Sequence, residues 1–224
     1  MTMLQPWDID IDMLQPWSTP VMKTKLRSDV LQTMTELSDQ VLTDKNAVNW
    51  GPNLAGQIAI EPLIDHNILD DETMDYFKGM VREFVIRCKC QMSPPISDKI
   101  RQEKISVEIV RLWAISQKPN EYNPVHFHKN CNISSVMYIK IPKMLPSRKK
   151  HRSDDGAIVF LGNSSRETEL STPSAVIPPQ VGDFFIFGAN QQHAVYPFRC
   201  AKDETNIERR SISFNAVFQK GQGK

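Results

Sequence analysis

The sequence predicts an α+β chain that is mainly β at its core: a helical N-terminal region over residues 1–104 that supports a β-barrel over residues 105–218. Three observations carry this expectation. Before residue 104, apolar residues recur at helical spacing in two stretches. After it, the period shortens to that of strands, with runs rich in Ile, Val and Phe separated by Pro, Gly, Asn and Asp. No linker-like composition divides the two parts, so residues 1–224 are read as one domain.

The chain opens on a short duplication, Met3-Leu-Gln-Pro-Trp7 and Met13-Leu-Gln-Pro-Trp17, too brief to be a structural repeat. Residues 17–26 read as an extended segment. Ser28 is placed to cap a helix whose apolar residues are Val30, Leu31, Met34, Leu37, Val41 and Leu42. Residues 46–53 form a loop broken by Gly51-Pro52. Asp70, Asp71 and Glu72 suit the first turn of a second helix, where the dipole favours negative charge. Its buried stripe is read as Met74, Phe77, Val81, Phe84, Val85 and Cys88, and Ser93-Pro94-Pro95 closes it. Strands are then expected over residues 105–115, 133–141, 157–161, 175–177, 184–187, 193–198 and 211–218.

Bulk properties exclude several function classes. A formal net charge of +1 gives no electrostatic reason to bind nucleic acid or a membrane surface. The basic cluster Arg148–Arg152 reads as a solvated loop. No apolar stretch reaches the length of a membrane span, and the N-terminus lacks a basic-then-apolar signal pattern. Cys88, Cys90, Cys131 and Cys200 form no Cys-x-x-Cys pair, which suits thiols in a reducing, cytoplasmic setting.

The chemistry concentrates in three stretches of the β-region. The first is Tyr122-Asn-Pro-Val-His126-Phe-His128, leading into an apolar run that carries Tyr138. On a strand, residues i and i+2 share a face, so both imidazoles could reach one metal ion. The second is Gly182-Asp-Phe-Phe-Ile-Phe, a turn and apolar strand followed by a loop that presents His193. The third is Arg209-Arg210-Ser-Ile-Ser-Phe-Asn215. Its alternation puts Arg209, Ser211, Ser213 and Asn215 on one face, and Arg210, Ile212 and Phe214 on the other. That polar face either meets solvent or lines a ligand cavity in which an arginine grips a carboxylate.

In that order, the three motifs resemble the iron(II)- and 2-oxoglutarate-dependent oxygenases. More narrowly, they are similar to a family of oxygenases found in bacteria and bacteriophages and related to the prolyl hydroxylases. The resemblance covers about residues 105–218 and implies a double-stranded β-helix, or jelly roll, with the N-terminal helices packed on it. It implies Fe(II) as cofactor and 2-oxoglutarate as co-substrate, with dioxygen and a further substrate. The activity implied is decarboxylation of 2-oxoglutarate to succinate coupled to oxidation of that substrate, with hydroxylation the expected outcome. His126 and His193 are the implied iron ligands. Arg209, six residues before the Asn, is the implied anchor for the distal carboxylate of 2-oxoglutarate, with Arg210 as its rival. Tyr138 and Ser213 would bind the same co-substrate. Substrate choice is expected in the region around 45–70, the loop 143–156 and the segment 199–208. A cytoplasmic location follows, in the host cytoplasm if the source is viral.

Position 128 departs from the wider superfamily, which has Asp or Glu there to complete a facial triad. His128 leaves the site one charge unit more positive. It is counted with His126 and His193 as a candidate metal and catalytic residue. A cupin-like barrel shares His-x-His and Gly-Asp…His, and is either a three-histidine dioxygenase or a non-catalytic binding protein; Arg209 and Tyr138 speak for the oxygenase. Cys131 could complete a zinc site with the two histidines only if the loop folded back sharply. Asp183 reads as part of a turn rather than a ligand, Trp113 as core, and His66 and His151 as surface residues.

Overall fold

A computed structural model describes residues 12–14, 20–145, 154–162, 174–200 and 207–220. The first Met-Leu-Gln-Pro-Trp copy, most of the second, Arg148–Arg152 and His151 lie outside them. In chain order the described elements are β1 (Asp12–Leu14), β2 (Val21–Lys25), α1 (Ser28–Thr43), α2 (Asp71–Met92), α3 (Ser97–Arg101), β3 (Ile105–Gln117), β4 (Asn123–His126), β5 (Ile133–Lys140), β6 (Ile158–Leu161), β7 (Ser174–Ile177), β8 (Asp183–Gly188), β9 (His193–Val195) and β10 (Arg209–Lys220). None of the helices is long and apolar enough to cross a membrane.

The strands form two antiparallel sheets, ordered β1-β2-β8-β5-β10-β3 and β4-β9-β6-β7. They face each other as a jelly roll. The large sheet is covered on both faces at its centre, which is why β5 and β8 are buried nearly end to end rather than at alternate residues. Alternation nevertheless sorts their side chains. Met22, Met137, Phe184, Ile186, Ile212, Phe214 and Ala216 point to the helices, joining Val30, Met34, Phe77, Val81 and Phe84 in one core. Val21, Val136, Tyr138, Phe185 and Phe187 point the other way, against Ile158, Phe160 and Val195 of the small sheet. Each large apolar side chain buried this way contributes roughly 1.5–3 kcal/mol.

The helices follow their patterns with two corrections. Ser28 is the first helical residue of α1 rather than its cap; Arg27 holds that position without a side-chain cap and binds Asp29 and Glu72 instead. In α2, whose cap is Asp70 accepting from Thr73 N–H at 2.7 Å, Cys90 is buried and Cys88 only partly so. The stripe drifts over 22 residues, and the unforeseen α3 closes over its end.

One irregular segment matters for the site. Residues 60–64 run along the free edge of β3, with Ser116 N–H donating to Ile60 O, Ala114 N–H to Pro62 O and Ile64 N–H to Leu112 O, each at 2.9 Å. They cover an edge that would otherwise present unpaired backbone.

Candidate metal centre and co-substrate cavity

Between the two sheets lies a cavity of about 490 Å³, within the range of small-molecule sites. Three histidines converge on it. His126 ends β4 and His193 begins β9, and the two are direct cross-strand partners, their ring centroids 4.2 Å apart. His128 lies two residues beyond the end of β4, so strand parity does not orient it. Its N–H donates to Ala189 O at 2.9 Å, tying it to the end of β8. Its ring lies 5.3 Å from that of His126 and 5.2 Å from that of His193. One ligand atom from each of the three lies within 4.8 Å of the other two.

The protonation pattern suits metal binding. Nδ1 of His126 is 2.8 Å from Pro124 O, and Nδ1 of His193 is 2.9 Å from Gln191 O. A carbonyl can only accept, so Nδ1 carries the proton in each and Nε2 keeps its lone pair. Burial pushes His126 below the usual histidine range, holds His128 at about 3 with a further push from His126, and takes His193 well below its ordinary value. Three neutral imidazoles are a donor set that suits iron among other transition metals. Cys131 is not part of the cluster. Asp183 is fully buried at the start of β8, salt-bridged to Lys25 at 2.7 Å and accepting from Gln180 N–H.

The other sequence motif forms the floor. Arg209, Ser211, Ser213 and Asn215 all line the cavity from β10. Arg210 points away, bound to Glu208, Asp39 and Ser38. Arg209 is buried, donates through Nη1 to Gly156 O, and lies 5.3 Å over the Tyr138 ring. Gly156 sits at φ +66°, a left-handed turn that glycine adopts freely. Arg209 has no carboxylate partner among the described residues, and its Nε and the Tyr138 hydroxyl are buried without hydrogen bonds. Burial raises the Tyr138 phenol to about 12, against the pull of Arg209. Buried donors left unsatisfied are costly, and an uncompensated buried cation more so. A carboxylate between them would satisfy both, so these residues fit 2-oxoglutarate as the histidines fit its metal.

Residues 111–215 match the family model described as "Putative 2OG-Fe(II) oxygenase". The match spans a little under half of the chain, and over it the barrel is similar to the 2OG-Fe(II) oxygenases. The family's cofactors are therefore the ones at issue here, Fe(II) with 2-oxoglutarate as co-substrate. The fold is similar to that of a prolyl-4-hydroxylase from Pseudomonas putida (TM-score 0.51, 12% identity, covering 88% of this chain and 91% of that one). It is also similar to two α-ketoglutarate-dependent enzymes of nogalamycin biosynthesis. The carbocyclase SnoK gives a TM-score of 0.52 at 9% identity over 88% and 78% of the two chains. The epimerase SnoN gives 0.51 at 13% over 88% and 77%. At such identities the likeness is one of fold. No curated protein sequence matches the chain.

Sequence reasoning missed part of the cavity. Trp113, read as core, is buried but lines it, 6.2 Å from His128 between ring centroids. Trp50, Glu61 and Arg111 line it as well. Arg111, Trp113 and Ile115 alternate along β3, a signal available in principle; Glu61 sits in a loop and offers none.

Proposed function

We propose that His126, His128 and His193 hold Fe(II), that Arg209, Tyr138 and Ser213 hold 2-oxoglutarate, and that the chain oxidises, by hydroxylation, a substrate entering beside β3. The observation that carries this reading is a fully buried arginine without a carboxylate partner among the described residues, sharing one cavity with three neutral convergent histidines. When bound, the cofactors supply the oxidising step: dioxygen is reduced, 2-oxoglutarate loses carbon dioxide to become succinate, and one oxygen atom passes to the substrate. The protein orients and insulates. Nδ1–H bonds to backbone carbonyls fix the rings of His126 and His193 so that Nε2 faces the metal. The Arg209 guanidinium takes the distal carboxylate, the Tyr138 hydroxyl donates to it, and Ser213 adds a donor from the same strand face. Val136, Ile158, Phe187 and Val195 form apolar walls that keep water from the reacting centre. A reducing, cytoplasmic setting belongs to the same proposal and suits the four cysteines, none of them in a disulfide.

The test is direct. Purified chain is incubated with Fe(II), 2-oxoglutarate and oxygen, and succinate is measured; slow formation without added substrate is expected. Absence of succinate, together with unchanged 2-oxoglutarate binding in Arg209→Ala, would sink the reading.

A further inference from the structure

The mouth of the cavity has a chemistry that neither the metal nor 2-oxoglutarate uses. Glu61 lines it with 1% of its surface exposed, and its Oε2 is buried without a hydrogen-bond partner. Besides Arg209 at the inner end, two cations line the same cavity, yet neither pairs with it among the described residues. The Arg111 guanidinium lies 4.3 Å over the Trp50 ring, and the Lys129 ammonium 5.7 Å over that of Phe127. Burial, then the neighbouring carboxylate of Glu121, raise the Glu61 carboxyl to about 7. An isolated buried carboxyl is expensive unless it meets a donor.

The loop holds this group in place. The side chain of Asn49 accepts from Glu61 N–H at 2.9 Å and donates to Ala59 O at 2.9 Å, while Trp50 N–H donates to Glu61 O at 2.8 Å. Gly51 and Gly56 flank the carboxyl: a Cβ on either would stand in ordinary contact with Oε2, at 3.4 and 3.5 Å. Gln57 N–H donates to Tyr122 O, so the loop bridges β3 to the strand that carries His126. The cavity is thus polarised. Its inner end is cationic, through Arg209, and suits a dicarboxylate; its mouth offers one unpartnered carboxyl in a lining shared with Trp50 and Trp113.

Resting on the oxygenase reading above, we infer that Glu61 is the specificity-determining residue for the primary substrate, recognising a cationic nitrogen (an ammonium or guanidinium) carried on an apolar stem. The carboxyl accepts the charged N–H, and the tryptophans pack the stem. Aromatic faces beside the charge add cation–π attraction.

Isosteric probes test this on the full chain loaded with Ni(II) and 2-oxoglutarate, which holds the site without turnover. Nα-acetyl-arginine amide is compared with Nα-acetyl-citrulline amide, and Nα-acetyl-lysine amide with the amide of N-acetyl-2-aminoheptanoic acid, by tryptophan fluorescence at up to millimolar concentrations. The cationic member of at least one pair is expected to bind roughly tenfold or more tightly than its neutral isostere, as a charge-assisted hydrogen bond requires. Glu61→Gln should abolish that preference, and Glu61→Asp should retain part of it. Equal binding within both pairs, no binding at all, or an undiminished preference in Glu61→Gln each overturns the inference. The comparison in the unsubstituted chain needs no variant, so a Glu61→Gln protein that fails to fold still leaves a decisive measurement. Titration of 2-oxoglutarate into the Ni(II)-loaded chain reports separately on the oxygenase reading. If the co-substrate binds but no cation is preferred, only the Glu61 inference fails; if it does not bind, the oxygenase reading itself falls.

Discussion

Arg209 and Arg210 are neighbours in sequence and opposites in environment. One faces the cavity with no counterion among the described residues; the other faces α1 and spreads its donors over Glu208, Asp39 and Ser38. Arg209→Ala is therefore expected to weaken 2-oxoglutarate binding by about a hundredfold or more, the scale of a lost buried charge-pair partner. Arg210→Ala should leave that affinity intact and lower unfolding free energy by about 1–2 kcal/mol. Calorimetric titration and urea unfolding of both variants separate the two roles, and equal losses of affinity would contradict the assignment. His128→Ala bears on the metal in the same way: removing one of three converging ligands should lower metal affinity tenfold or more. Undiminished affinity would reduce the site to two histidines. At this scale much was legible, because the alternation in Arg209–Asn215 depends only on strand parity. Glu61 was not. A glutamate in an irregular loop looks solvated until the 60–64 segment is seen lying along β3.

The elements repeat that contrast. Strands with both faces covered announce themselves by composition, and β3, β5, β8 and β10 were readable for that reason. β4 was not, since it is short, contains Pro124 and pairs through an irregular register. In the other sheet, β2 looked merely extended, although it is hydrogen-bonded to β8 along its whole length. Within α2, Phe77 packs edge-on to Phe184 and at a tilt to Phe214, joining helix to sheet. Phe77→Ala should cost about 3–5 kcal/mol, read by denaturant unfolding, as expected where a ring is removed from a packed layer. The loop that carries Glu61 supplies a second expectation. Its carboxyl is raised from 4.5 to about 7, so the folded state holds a proton that the unfolded state releases. This contribution is fully present below about pH 4.5 and is lost as pH rises through 7, by roughly 3 kcal/mol. In Glu61→Gln that part of the stability–pH profile should flatten; an unchanged profile would remove the buried carboxyl as its cause.

The whole molecule is two sheets whose polar contents sit between them. His126 and His193 belong to the small sheet, Arg209 and Tyr138 to the large one, and His128 is hydrogen-bonded to the end of β8 in the large sheet. A metal on the three histidines therefore ties one sheet to the other near the mouth. A dicarboxylate reaching from that metal to Arg209 ties them again along the cavity. Ligand binding to the folded state alone raises stability by mass action, about 2.7 kcal/mol at a hundred times Kd. For a chain of this size that is roughly 5–10 °C in Tm. Ni(II) is expected to raise Tm by itself, and 2-oxoglutarate to add a second increment that is largest when the metal is present, because only then are both its ends held. Arg209→Ala should erase the second increment and keep the first, whereas His128→Ala should shrink the first. A 2-oxoglutarate shift of full size without metal, surviving in Arg209→Ala, would mean that the co-substrate binds elsewhere and that the two sheets are not joined through it.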